Sequence, residues 1–154
     1  MPRHHETRIL PYGAAQMYAL VADVARYPEF LPWNSAARIR SRGPCAGGEG
    51  GAGCEVMEAE LVISFKVFRE RFGSRVTLLP GQGRIVTEYL DGPFRHLKSV
   101  WTFADRAEGC EVTFDVDFEF RNALLSGIIG LVFNEAMTRV VRAFEARAKV
   151  LYGG

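Results

Sequence analysis

The clearest pattern in the chain is a strict alternation of apolar and polar residues over residues 110–120. The apolar positions are Cys110, Val112, Phe114, Val116, Phe118 and Phe120. The positions between them carry acidic or hydroxyl side chains. Because successive side chains of a strand point to opposite faces, this alternation predicts a strand with one dry face and one wet face. Such strands are typical of antiparallel sheets.

Six further segments predict strands of the same sheet, at residues 3–10, 35–42, 55–67, 69–79, 84–90 and 94–104. Turns rich in glycine, proline or aspartate separate the later strands, at residues 80–83, 91–93 and 107–109. Two of these strands show an inward set most clearly, and all of its residues except Ser99 are apolar. It comprises Met57, Ala59, Leu61, Ile63, Phe65 and Val67 in the first, and Leu97, Ser99, Trp101 and Phe103 in the second.

Two segments instead predict helices. Residues 14–25 are rich in helix formers, and their apolar side chains recur at the helical spacing at Met17, Leu20, Val21 and Val24. A longer apolar stripe runs from residue 122 to about residue 152, through Leu125, Ile129, Phe133, Met137, Val140, Phe144 and Leu151. Between the first helix and the next strand, Pro28 and Pro32 exclude a long helix and predict a packed corner.

A series of strands followed by one long helix gives an α+β fold in a single domain spanning residues 1–154. The predicted sheet has one dry face and only one long helix to cover it. If the sheet curves around that helix, a hollow lined by apolar side chains is left between the two.

Composition narrows the classes of function. The chain has 154 residues, of which 48% are hydrophobic and 11 are phenylalanine, so a disordered protein is excluded. Its 19 basic and 18 acidic residues leave a net charge of +1. A strongly polyanion-binding protein is therefore not expected, and we predict no DNA partner. No apolar run reaches the roughly 18 residues of a membrane span.

The cysteines and glycines predict little chemistry. Cys45, Cys54 and Cys110 have neither the CxxC spacing of a zinc site nor an even number, so we expect inert thiols in a reducing, cytoplasmic compartment. Six of the 16 glycines lie within residues 43–53, which predicts a mobile hairpin loop. Part of this loop, residues 48–53, fits the GxGxxG pattern. It joins two strands rather than a strand and a helix, so no dinucleotide site is predicted.

Titratable side chains are scarce in the predicted interior. His4 and His5 are expected at a frayed terminus, His96 on the outer face, and Asp23 as a side-chain cap of the turn after the first helix. Because catalysis needs an acid, base or nucleophile near the substrate, the sequence favours a binding protein over an enzyme.

One group of basic residues leaves two interpretations open. Arg38, Arg40 and Arg42 alternate along one predicted strand and are expected to share one face. The face is either simply solvated or a contact for phosphates of a ribosomal particle or an anionic membrane.

The segment from Leu20 to Trp33, LVADVARYPEFLPW, resembles a block of the coenzyme-Q-binding START-like proteins. That family groups with the ribosome-association toxins and the polyketide cyclase and lipid-transport superfamily. Further similar blocks follow in the same order at residues 59–65, 91–97, 101–103, 118–122 and 143–148. Two features depart from the family pattern. Asn34 stands where the family often has cysteine, and the loop over residues 43–53 is longer than usual.

The resemblance implies a helix-grip fold of the START/Bet v 1-like kind, in which a curved antiparallel sheet wraps around a long C-terminal helix with an apolar cavity between them. It implies ubiquinone (coenzyme Q) or a similar isoprenoid lipid as a non-covalent ligand, with no covalent cofactor and no metal. The implied role is a quinone carrier that supports respiratory electron transport. Two alternatives remain open: a protein that binds the large ribosomal subunit and blocks subunit joining, and a polyketide cyclase or dehydratase.

We place the ligand ring near Tyr27, Trp33 and Trp101, with Phe30 and Phe103 in the same ligand-binding set. The tail would run along Leu61, Ile63, Phe65, Phe118, Leu125, Ile129 and Phe133. The competing interpretation is that these residues only fill a core. The apolar run over residues 124–133 is a candidate for a transient contact with a membrane surface, which would place the protein at the periphery of the inner membrane.

Overall fold

The computed structural model describes residues 3–45, 54–65, 68–92, 94–121 and 123–153. Within these ranges the side chains of residues 65, 68, 120, 123–126 and 128–134 are not described. The predicted loop over residues 43–53 lies for the most part outside the described residues.

Seven strands form one antiparallel sheet. They are β1 (Arg3–Leu10), β2 (Asn34–Pro44), β3 (Glu55–Phe65), β4 (Phe68–Leu79), β5 (Arg84–Asp91), β6 (Phe94–Arg106) and β7 (Gly109–Phe120). Their order in the sheet is β1-β7-β6-β5-β4-β3-β2, so β1 and β2 are the edge strands. Only β1 pairs out of sequence order, against β7 at the far end of the chain.

Two α-helices accompany the sheet, α1 (Ala14–Ala22) and α2 (Ala123–Tyr152). At about 1.5 Å per residue, α2 is roughly 45 Å long. It packs against β1, β7 and α1, and its residues Val141, Phe144 and Ala148 are buried. The predicted α+β fold, a curved antiparallel sheet around a long C-terminal helix, is confirmed.

The first helix is shorter than predicted. It ends at Ala22, and residues Val24–Glu29 continue as a 3-10 helix that contains Pro28. Tyr27 in this 3-10 helix and Phe30 directly after it both contact the ring of Phe144 in α2. A second 3-10 turn, Pro80–Gln82, occupies the predicted turn between β4 and β5.

The prediction of three unpaired thiols is wrong. Cys45 and Cys54 form a disulfide across the hairpin of β2 and β3, while Cys110 is free and buried. The reason is the pairing of the strands. Pro44 lies opposite Glu55, so Cys45, which follows Pro44, lies beside Cys54, which precedes Glu55, and their Cα atoms are 5.5 Å apart. A cross-strand pair of this kind has no fixed spacing in the sequence, because the length of the loop sets it.

We expect the Cys45→Ser variant to be less stable than the wild type by about 2.5 kcal/mol. The disulfide closes a loop with a sequence separation of 9, and the loss of such a cross-link restores about this much chain entropy to the unfolded state. Urea unfolding with and without a thiol reductant checks the prediction. Reductant should lower the wild-type midpoint to that of the variant and leave the variant unchanged. A wild-type midpoint insensitive to reductant would contradict it.

Arg42 does not share a face with Arg38 and Arg40. A register shift between Ile39 and Ser41 inserts one extra residue into β2, so Arg38 pairs with Glu60 but Arg42 pairs with Met57, which is fully buried on the inner face. A bulge of this kind reverses the alternation beyond it. The prediction of one three-arginine face is therefore wrong.

Candidate ligand-binding face

The inner face of the sheet is apolar, as predicted. Trp101, Phe103 and Phe118 lie on it and are all buried, as are the alternate residues Val112, Phe114 and Val116 of β7. These residues belong to the hydrophobic core that α1 and α2 cover. The alternation in β6 and β7 therefore identified the dry side of the sheet correctly.

Phe144 of α2 is the centre of an aromatic cluster on this face. Its ring centroid lies 5.4 Å from that of Tyr27, 5.3 Å from that of Phe30 and 5.0 Å from that of Trp101. The hydroxyl of Tyr27 donates a hydrogen bond to the carbonyl of Val21. Burial, and to a smaller extent the nearby Asp23, raises the pKa of Tyr27, which stays neutral. The rings of Tyr27, Phe30 and Trp101 therefore pack around Phe144 as one cluster.

Trp33 lies in the turn before β2. Its carbonyl accepts a hydrogen bond from the Ser64 amide of β3 at 2.8 Å, and its φ of 65° is in the left-handed region. The structure thus joins Tyr27 and Trp101 through Phe144, and among the described ring contacts none connects Trp33 to either. A ligand role for these three residues stays a prediction.

Another part of the inner face is less completely covered. Several of its apolar side chains pack against the core but are only half-buried, namely Leu61 and Ile63 of β3, Leu97 of β6, and Met137 and Val140 of α2. Tight packing between α2 and the sheet here would bury them as fully as Phe144, which is 2% exposed. Of the predicted tail contacts, the side chains of Phe65, Leu125, Ile129 and Phe133 fall outside the described part of the structure.

A strip of charged and polar side chains lies on the inner face at the edge strand β1. His4, Glu6 and Arg8 pair in register with Val116, Phe114 and Val112, whose side chains point inward. Their side chains are only 10%, 14% and 27% exposed. We call them, together with Glu145 of α2, the β1 polar strip.

The β1 polar strip corrects two predictions. His4 is held in a paired strand rather than at a frayed terminus, as is His5, which contacts Asp115 on the outer face. The inner face also carries titratable groups, which sequence reasoning missed. The sequence carries no signal for this, because β1 has polar residues on both sides and its Ile9 lies on the outer face, 47% exposed.

Hydrogen bonds link the members of the strip. His4 Nε2 lies 2.8 Å from Glu6 Oε1, Arg8 Nε donates to Glu6 Oε2, and Arg8 Nη1 lies 3.4 Å from Glu145 Oε1. An ionised carboxylate only accepts, so His4 Nε2 carries the proton. Burial tends to raise the pKa of Glu6, but the hydrogen bonds and charges of His4 and Arg8 outweigh it, and the pKa is lowered.

This lowered pKa makes stability depend on pH. The ionised Glu6 stabilises the fold above the pKa that it has in the unfolded chain, and this contribution is lost as the pH falls through the lower, folded-state pKa. We expect the wild type to lose roughly 1 kcal/mol more than the Glu6→Gln variant between neutral pH and about pH 3. Urea unfolding at both pH values measures the difference. Parallel losses in the two proteins would contradict the prediction.

Asp23 does not cap the following turn with its side chain. Its backbone carbonyl accepts the Arg26 amide at 3.2 Å, and its carboxylate Oδ2 lies 3.2 Å from Arg26 Nε. The Arg26 guanidinium is therefore the partner of the Asp23 carboxylate, in place of the backbone donors that the sequence predicts.

A pocket of about 240 Å³ lies beside Asp23, between α1, the first 3-10 helix and the end of α2. Arg147 on its wall donates to Glu29 Oε1 at 2.7 Å and lies 5.2 Å from the centroid of the Phe30 ring. Arg26 bridges Asp23 and Glu29. The charged groups of this pocket thus pair with one another, and they favour no ligand of either sign.

The remaining basic residues of β2 are neutralised on the outer face. Arg38 and Arg40 both contact Glu60, at 3.3 and 2.9 Å, and Arg40 also contacts Asp91 at 3.0 Å. Gly73 makes room for this network, since a Cβ there would lie 2.5 Å from Arg40 Nη1. The predicted phosphate-binding face is therefore occupied by carboxylates of the same chain.

A row of alternating charges crosses the rest of the outer face. In register from β3 to β1 it comprises Glu58, Arg75, Glu88, Lys98, Asp117 and Arg3. Opposite charges at facing positions stabilise neighbouring strands. The three acidic and three basic residues of this row have a net charge of zero. His96, predicted on the outer face, lies there and contacts Asp117 at 3.3 Å.

No helix within the described ranges combines the length and hydropathy that a membrane span requires.

Several known proteins resemble the chain. It is 37% identical over 146 residues to the Ribosome association toxin RatA of Pseudomonas aeruginosa, covering 94% of each. It is 35% identical over 156 residues to the Coenzyme Q-binding protein COQ10 homolog B, mitochondrial, of Xenopus laevis, covering 97% of this chain and 59% of that protein.

The fold has a close counterpart among solved structures. The solution structure of the 18 kDa protein CC1736 from Caulobacter crescentus matches with a TM-score of 0.79 and 33% identity over 100% of both chains. The family described as polyketide cyclase / dehydrase and lipid transport matches residues 10–145. With its helix-grip sheet and apolar inner face, the chain belongs to this polyketide cyclase/dehydrase and lipid-transport family.

Proposed function

We propose that the protein binds ubiquinone, or a related isoprenoid lipid, between the sheet and α2, and acts as a quinone carrier that supports respiratory electron transport. The observation that carries the proposal is the half-buried apolar part of the inner face around Leu61, Ile63 and Leu97. Family membership and the coenzyme Q-binding relative support it.

The apolar face supplies enough free energy for such a ligand. Each Å² of apolar surface removed from water contributes roughly 25 cal/mol, so an isoprenoid tail needs no charged anchor. Binding would also remove water from Leu61, Ile63, Leu97, Met137 and Val140, which the fold leaves half-buried.

Organic extraction of the purified protein followed by mass spectrometry tests the proposal. We expect a quinone or another isoprenoid lipid in the extract. For protein that emerges empty, titration with a short-tail ubiquinone should quench tryptophan fluorescence, since Trp101 lies on the inner face. An extract without lipid, combined with no binding of added ubiquinone, would overturn the proposal.

A second candidate function is binding to the large ribosomal subunit with a block of subunit joining. The observation that favours it is the 37% identity to a ribosome association toxin over nearly the full length of both chains. Cosedimentation with ribosomal subunits at increasing salt tests it, because phosphate contacts weaken steeply with salt. The Arg38→Glu variant tests whether the β2 arginines make the ribosomal contact. Because Arg38 is already paired with Glu60, we expect this variant to cosediment as the wild type does, through another face.

We further propose that binding occurs without turnover, since the acids and bases of the β1 polar strip pair with one another. Turnover of a polyketide substrate would favour the cyclase alternative.

We also propose a transient membrane contact through residues 124–133 while the ligand enters. Flotation with liposomes tests it, and the Ile128→Glu and Leu131→Glu variants should reduce flotation.

A further inference from the structure

We infer that the β1 polar strip selects for hydrophobic ligands with an uncharged, hydrogen-bond-accepting head, such as a ring carbonyl, and against ligands with an anionic head. The inference rests on the proposed function, because it assigns the head of a ligand whose tail occupies the apolar inner face. It concerns the described side chains of His4, Glu6, Arg8 and Glu145.

The strip adjoins the aromatic part of the inner face. The His4 ring lies 6.4 Å from that of Phe114, and Phe114 stacks on Trp101 at 4.3 Å between centroids. A flat ring placed against these aromatic side chains would therefore have polar partners at its edge. Elsewhere among the described residues of the inner face, Arg42 pairs with Glu55, with side chains 53% and 36% exposed, and Glu70 lies half-buried opposite Ile63.

The charges of the strip decide which head it accepts. Glu6 and Glu145 carry two negative charges against the one of Arg8. A fatty-acid carboxylate or a phosphate in the same place would be repelled by both, and burying it without a full counter-charge is costly. A neutral carbonyl needs only a donor. Arg8 has five N–H groups, and its contacts with Glu6 and Glu145 use Nε and Nη1 only.

A purely structural explanation must be distinguished from this one. Charged side chains pointing inward from an edge strand discourage pairing with a second molecule, and β1 is an edge strand. The contact of Arg8 with Glu145 also holds α2 to β1. In both cases the strip would affect stability or association, but not the relative affinities for ligands that differ only in their heads.

The experiment compares three probes: a short-tail ubiquinone, the isoprenoid hydrocarbon of the same tail without a head, and oleate. We expect the wild type to bind ubiquinone about tenfold more tightly than the hydrocarbon, and oleate most weakly. Arg8→Met should lower ubiquinone affinity about tenfold and leave hydrocarbon affinity unchanged. Arg75→Met, on the outer face between Glu58 and Glu88, is the matched control and should change neither.

A second variant keeps the test decisive if Arg8→Met folds poorly. Glu6→Gln has almost the same shape but one negative charge fewer, so we expect oleate to gain affinity relative to ubiquinone. Equal binding of ubiquinone and hydrocarbon by the wild type, or equal weakening of all three probes in the variants, would overturn this inference alone. Failure of the wild type to bind any of the probes would instead overturn the proposed function.

Discussion

Replacement of Phe144 by alanine is expected to lower the free energy of unfolding by about 3–5 kcal/mol. Phe144 is 2% exposed and its ring contacts those of Tyr27, Phe30 and Trp101. These partners come from two different elements, so neither can move alone to fill the cavity that the substitution leaves. The loss of unfolding free energy should therefore lie toward the upper end of this range.

Urea denaturation followed by circular dichroism measures this effect. Val150→Ala, on the same helix but with Val150 75% exposed, is the matched control and should change stability by less than about 0.5 kcal/mol. If both variants lost similar amounts, α2 would not be anchored to the sheet through Phe144, and the packing described for this end of the inner face would be wrong.

Ile63→Glu is expected to weaken binding of short-tail ubiquinone by roughly a hundredfold or more. In the free protein, Ile63 is half-buried on β3, so a glutamate there can reach water and the fold is retained. In the complex, the tail would cover the carboxylate and remove its water, which costs several kcal/mol.

Fluorescence titration of the variant measures the loss, with its thermal unfolding as the check on folding. Gln82→Glu adds the same charge at an exposed turn and should bind ubiquinone as the wild type does. Undiminished binding by Ile63→Glu would exclude this part of the inner face as the tail site, without affecting the fold or the family of the protein.

Much of the fold follows from local pattern. The alternation in residues 110–120 predicted β7 and its dry face, and the stripe from residue 122 onward predicted α2, because the periods of strands and helices are local properties of the backbone. The first helix was predicted three residues too long, since Asp23 leaves the helical conformation and the chain continues as a 3-10 helix. The resemblance of Leu20–Trp33 to its family then supplied the curvature of the sheet around α2, and the comparisons confirm the family.

The chemistry of the inner face followed much less from the sequence. Trp101, Phe103, Phe114 and Phe118 lie on the inner face as predicted. The inward placement of His4, Glu6 and Arg8 was not predicted, because a strand with polar residues on both sides has no period that marks its inner face. Only the pairing of β1 with β7, from opposite ends of the chain, shows which of its residues point inward.

By itself, the sequence determined the number of strands and their succession along the chain, the dry side of the sheet and the long helix, all of which depend on neighbours a few residues apart. The tertiary structure decided the Cys45–Cys54 disulfide, the reversal of Arg42 by a bulge, and the neutralisation of Arg38 and Arg40 by Glu60 and Asp91. It also placed the β1 polar strip beside the aromatic face. Each of these depends on the register between strands and on the docking of α2, which are set by contacts between residues distant in the chain.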